Sequence, residues 1–139
     1  MLLALSILML LPFTASSEIS KPQVGWYCIR NLATGKYLNV YGNSAKSNVN
    51  ITLWQKDGTT GQEFYVSYPG TVKSNGTTNA NSYAVSLKTR CGWSNGTVVN
   101  GDATTTVGNG TNVITWTYTN HVTQLWYLDA LSGDTYRST

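Results

Sequence analysis

The chain has 139 residues, of which 11% are charged and 12% aromatic, and its nine Lys and Arg outweigh six Asp and Glu for a formal net charge of +3. That length holds one domain of ordinary size, and the sparse charge excludes both a disordered polyelectrolyte and a helix-rich Ala/Glu/Lys/Leu protein. The basic residues are too few and too scattered to neutralise a row of phosphates, which sets nucleic acid aside as a partner.

At the N-terminus, Leu2 to Leu11 is an apolar run broken only by Ser6 and followed by Pro12 and the small residues Thr14, Ala15, Ser16 and Ser17. It falls short of the roughly 20 apolar residues that span a bilayer. It reads instead as a signal peptide over residues 1–17, cut before Glu18, although no Lys or Arg precedes the run. A hydrophobic first strand or membrane anchor is the alternative. The expectation is a secreted, extracellular protein with no membrane span. Such a location permits a disulfide between Cys28 and Cys91, the only two cysteines, and two free thiols is the other reading.

Beyond the leader, Tyr27-Cys28-Ile29-Arg30 alternates as a half-buried strand does. A Gly-containing turn at Ala33 to Lys36 leads into Tyr37 to Tyr41, and Asp57-Gly58 joins the segments around Trp54 and Gln62. Pro69 to Asn81, rich in Gly, Ser, Thr and Asn, is predicted to be an exposed loop, and Tyr83 to Leu87 a further strand. No window shows sustained helical periodicity, so the fold class is all-β.

Set against itself at an offset of 62 residues, the chain brings Asn50-Ile51-Thr52-Leu53-Trp54 over Asn112-Val113-Ile114-Thr115-Trp116, and Gln62-Glu63-Phe64-Tyr65 over Gln124-Leu125-Trp126-Tyr127. The spacing within the two copies is the same, which marks an internal repeat. Repeat 1 covers about residues 25–68 and repeat 2 about residues 82–130, each with four short strands. Such units bury an apolar face only by packing on one another, and three would close a barrel. Residues 131–139 read as the start of a third unit, apparently truncated. Either that unit is missing, or another chain supplies it through self-association or attachment to a longer protein, or the gene product is truncated.

The two Gln-x-aromatic motifs, the run Asn31 to Gly42, and the pairs Leu53-Trp54 and Thr115-Trp116 resemble the ricin B-chain type (Gln-x-Trp) lectin repeat, a family that folds as a β-trefoil. The resemblance implies such a lectin domain over residues 18–139, with a carbohydrate or glycoconjugate as partner and galactosides as candidate sugars. It implies that Phe64 and Trp126 are core, that sugar stacks on Trp54 and Trp116, and that Gln62 and Gln124 lie near the pocket of their own repeat. Asn39 stands where the family places an Asp. The substitution keeps an oxygen but loses a charge-assisted acceptor, about twice as strong as a neutral one. Thr52 matches the polar residue of the third strand, which is Ile114 in the second copy. Gly61 and Thr123 stand where an Asn often precedes the motif Gln.

Elementary chemistry points the same way. A pyranose offers a C–H face and a rim of hydroxyls, matched by an aromatic plane flanked by amides, and the chain holds five Trp and nine Tyr. One stack and a few hydrogen bonds, each about 1 kcal/mol, amount to near-millimolar affinity per site, so useful binding requires several. The plainer readings are Trp as core and motif Gln as a clasp on turn backbone.

Catalysis is not expected. His121 is the only histidine, a metal site of zinc spacing is absent, and no nucleophile elbow or phosphate-cradling loop is present. No cofactor is implied. The alternative to a lectin is a β-trefoil interaction or inhibitor module with vestigial sugar sites, favoured by the departures at Asn39, Gly61 and Ile114.

Overall fold

The structure, a computed structural model, describes residues 22–74, 77–80, 84–104, 107–132 and 135–138. The leader expected at 1–17, together with Tyr83, Gly133 and Asp134, lies outside the described residues. Among the described residues eleven strands follow in chain order: β1 (Gly25–Tyr27), β2 (Tyr37–Val40), β3 (Ile51–Trp54), β4 (Phe64–Ser67), β5 (Thr71–Ser74), β6 (Thr77–Ala80), β7 (Ser86–Thr89), β8 (Thr97–Gly101), β9 (Val113–Thr117), β10 (Leu128–Ser132) and β11 (Thr135–Ser138). They form a five-stranded antiparallel sheet in the order β1-β4-β7-β8-β9 and three two-stranded units, β2-β3, β5-β6 and β10-β11. Besides strands, the described residues hold only single 3-10 turns, at Tyr41–Asn43, Thr60–Gln62 and Val122–Gln124. The all-β expectation therefore holds. No helix among the described residues is long and apolar enough to cross a membrane.

Two local expectations are corrected. The first strand ends at Tyr27, because the chain turns tightly after Arg30. There Asn31 Oδ1 accepts from the Thr34 backbone N–H at 2.9 Å, the Asn31 N–H donates to Lys36 O at 2.7 Å, and Arg30 bridges Tyr37. The segment from Pro69 to Asn81 is not simply a loop: β5 and β6 pair within it from Thr71↔Ala80 to Ser74↔Thr77. Polar β-branched residues pair their backbones as well as apolar ones do, without the alternation that marks a half-buried strand.

Alternation along β4 builds the core. Phe64 and Val66 are sealed inside while Tyr65 and Ser67 are half-buried, and the register sets Phe64 opposite Thr89 and Val66 opposite Leu87. Val40, Val85 and Val99 complete the buried cluster, each such side chain contributing about 1.5–3 kcal/mol by leaving water. Trp126 packs against it, and its indole N–H donates to Val99 O at 3.1 Å. Phe64 and Trp126 thus both serve the core, and the indole is also anchored by a polar bond that a Phe cannot make.

The β2-β3 and β8-β9 hairpins are stapled through Thr115, which is fully buried. Its hydroxyl donates to Lys46 O at 2.8 Å and accepts from the Val49 N–H at 3.1 Å, and its backbone bonds Asn48 and Val49. Cys28 and Cys91 are both free thiols, the first exposed and the second half-buried with its S–H on Ser44 O at 3.3 Å.

Candidate functional site

The motif glutamines make one construction twice. Gln62 Nε2 donates to Gln55 O at 2.7 Å, and its Oε1 accepts from the Asp57 N–H at 3.1 Å. Gln124 Nε2 donates to Thr117 O at 2.9 Å, and its Oε1 accepts from the Thr119 N–H at 2.8 Å. Each amide stands in for a peptide group and closes the turn that follows a Trp strand. Gln62 is 2% and Gln124 1% exposed. Buried and engaged at both ends, each of these two residues, expected near a sugar pocket, holds its turn in place.

On the first hairpin, strand alternation and register gather four expected and unexpected side chains on one face. Tyr37 lies opposite Trp54, and Asn39 opposite Thr52. Trp54 is 54% exposed, while Asn39 is buried. Asn39 Nδ2 donates to Thr52 Oγ1, and that hydroxyl donates in turn to Asn39 O, both at 3.3 Å. The amide oxygen is left over. Among the described residues no hydrogen bond is made to Asn39 Oδ1, on a side chain as buried as that of Asn100. Beyond the strand end, exposed Lys56 holds its ammonium 5.6 Å from the centroid of the Tyr37 ring. Aromatic plane, hydroxyl, amide oxygen and cation therefore lie along one hairpin.

The second hairpin repeats the backbone and loses the site. Val98 lies opposite Trp116 and Asn100 opposite Ile114, and both Val98 and Ile114 are buried. Asn100 is the structural counterpart of Asn39, a residue that sequence comparison missed. Its amide is consumed: Nδ2 donates to Gly101 O at 2.8 Å, and Oδ1 accepts from Thr123 Oγ1 at 2.9 Å. Thr123 occupies the place held by Gly61 in the first repeat, immediately before the motif Gln. Trp116 remains 43% exposed, but no free polar group stands opposite it in the register.

A second aromatic group, not expected from the sequence, covers the sheet itself. Trp26, Tyr65 and Trp93 meet with ring centroids 5.2 to 5.5 Å apart in tilted and edge-on contacts. Lys88 Nζ sits 3.8 Å over the Trp93 ring and the Arg90 guanidinium 5.1 Å over Trp26. Arg90 also forms a salt bridge with Glu63. These rings are occupied by one another and by their own cations.

Two further ionisable side chains are tied to local structure. Asp57 Oδ1 accepts from the Thr59 N–H at 2.9 Å, and His121 Nδ1 accepts from the Thr123 N–H at 3.3 Å as the cap of its turn. Among the described residues no three His, Cys, Asp or Glu side chains gather as a metal site.

The sequence model of the family described as ricin-type beta-trefoil lectin domain-like matches residues 14–91. No curated protein matches the chain. Among solved structures, the chain is similar to a designed 3-fold symmetric protein, ThreeFoil, with a TM-score of 0.66 and 21% identity over 83% of this chain and 71% of that one. It is also similar to an exo-β-1,3-galactanase from Clostridium thermocellum, with a TM-score of 0.66 and 18% identity over 86% of this chain and 23% of that one. The chain spans less than a quarter of the galactanase, and at these identities both likenesses are of fold. The fold is a β-trefoil type.

Proposed function

Because the chain belongs to the ricin-type β-trefoil lectin domain-like family, we propose that it is a carbohydrate-binding module whose working site is the outer face of β2 and β3. The observation that carries this reading is the unpaired oxygen of Asn39 on the same face as exposed Trp54, set against the Asn100 oxygen that Thr123 occupies. A pyranose lays its C–H face on the Trp54 indole beside Tyr37, and its rim hydroxyls donate to Asn39 Oδ1 and exchange with Thr52 Oγ1. Trp116, although exposed, has no such partner and does not form a second site. Galactosides are the first sugars to test, a choice supported by the family resemblance and by the galactanase of similar fold.

The module binds without chemistry. In support of this, His121 Nδ1 is engaged by the Thr123 N–H, Glu63 by Arg90 and Asp57 by the Thr59 N–H, so none stands free as an acid or base beside the sugar face. We also assign it to the extracellular space, on the apolar run Leu2 to Leu11 and the small residues before Glu18. A single shallow site of this kind has about millimolar affinity, so it serves a polymeric glycan through several copies or as part of a longer protein.

Isothermal titration or NMR titration with galacto-oligosaccharides tests the reading. Binding should vanish in Trp54→Ala and persist in Trp116→Ala. Loss in the second variant alone, or no binding to any glycan on an array, would overturn it in favour of a protein-interaction module.

A further inference from the structure

The rim of the β2-β3 face carries a positive charge that a neutral sugar does not use. Lys56 follows Trp54 by two residues and holds its ammonium 5.6 Å from the Tyr37 ring centroid, directly across from the indole in the register. Among the described residues the Arg90–Glu63 pair is the one ion pair, so no carboxylate among them pairs with Lys56. The carboxylate next in sequence, Asp57, is turned into its own turn by the Thr59 N–H. Asn39 itself is uncharged, so the polar floor of the face adds no repulsion toward an anion. In the second repeat Val98 takes the place of Tyr37 and Tyr118 that of Lys56, so the hairpin whose amide is closed has no cation at that position.

Resting on the reading of this face as a sugar site, we infer that its ligand is an acidic sugar, a galactose-type pyranose bearing a carboxylate or a sulfate, with Lys56 as the counter-charge. The ring lies on Trp54, the hydroxyls meet Asn39 and Thr52, and the anionic group reaches over Tyr37 to the ammonium. An exposed pair of opposite charges favours the acid over its neutral analogue by up to about fivefold, and salt weakens that preference.

The experiment is a titration of the full chain with an oligogalacturonide, with its carboxyl-reduced galactose counterpart and with a sulfated galacto-oligosaccharide, at about 0.05 M and about 0.5 M salt. The expected result is about fivefold tighter binding of an acidic ligand at low salt, a preference that shrinks at high salt, disappears in Lys56→Gln and survives in Lys56→Arg. Lys46→Gln, which removes the same net charge from another exposed lysine, should keep the preference. Whichever acid binds more tightly identifies carboxylate or sulfate as the group recognised. Equal binding of acidic and neutral sugars, or a preference that survives Lys56→Gln, overturns this inference and leaves the sugar site standing. Binding to none of the three overturns both.

Discussion

Thr123 donates its hydroxyl to the amide oxygen of Asn100 at 2.9 Å, whereas Gly61, in the matching place of the first repeat, has no side chain to offer Asn39. One β-branched residue thus ties up an amide that its glycine counterpart does not bond, Asn43 standing beside Gly61 instead, on two hairpins with the same backbone pairing. Thr123→Ala leaves Asn100 Oδ1 buried without a donor, which costs about 1–3 kcal/mol. Urea unfolding should show a lower midpoint with an unchanged slope, and sugar titration should show no new site, because Ile114 still fills the position of Thr52.

The clasp made by Gln124 needs an amide at both ends. In Gln124→Glu the side-chain carboxylate faces Thr117 O, which only a donor suits, and burial disfavours its charge, so the folded-state pKa rises above the unfolded value of about 4.3. Between those two values the folded state binds more protons than the unfolded one, so stability falls as pH rises through the window. The variant should lie nearest the parent below about pH 4 and become progressively weaker toward neutrality. Thermal melts across pH read this directly, and a constant difference at every pH would refute it.

Gly92 sits where no side chain fits. A Cβ there would come 1.8 Å from Thr97 Oγ1 and 2.8 Å from Thr89 Oγ1, two buried hydroxyls that bond one another. Gly92→Ala forces them apart and is expected to cost at least about 3 kcal/mol, the sum of overpacking and a lost buried bond. Soluble yield and the unfolding midpoint measure it.

The two thiols should react at different rates. Cys28 is exposed, while Cys91 is half-buried with its S–H on Ser44 O, and burial pushes the Cys91 thiol above its ordinary range against smaller opposing bonds from Thr89 and Gly92. Alkylation followed by mass spectrometry should modify Cys28 first. Because the folded-state value is the raised one, folding favours the protonated thiol. The Cys91 contribution to stability is therefore complete below the ordinary thiol pKa and declines as pH climbs past it. Cys91→Ala should flatten that decline in alkaline melts.

Much of this architecture was legible in the residues. The repeated Gln-x-aromatic spacing marked the repeat, since it depends on short-range pattern, and the family resemblance implied Phe64 and Trp126 as core. Asn100 escaped because it lies one residue short of the 62-residue offset that aligns the Trp strands. The residue opposite Ile114 in the strand pairing identifies it, and that pairing is a property of the folded hairpin. The bond from Thr123 to Asn100, which decides between an open and a closed face, joins side chains 23 residues apart in the chain. No local pattern encodes it. The hairpin of β5 and β6 was hidden for a different reason, because its Thr-rich strands lack the apolar alternation that distinguishes a strand from a loop.

The glutamine clasps set a limit on how this scaffold can change its ligand. An extra residue between Gln55 and Gln62 would draw the side-chain amide away from two carbonyl and N–H partners at once, so the turn beside Trp54 has a fixed length. New specificities must come from exchange at outward positions such as Lys56, one amino acid at a time, and not from the insertions by which other binding folds diversify their loops. A saturation library at that single codon would explore most of the variation the turn permits.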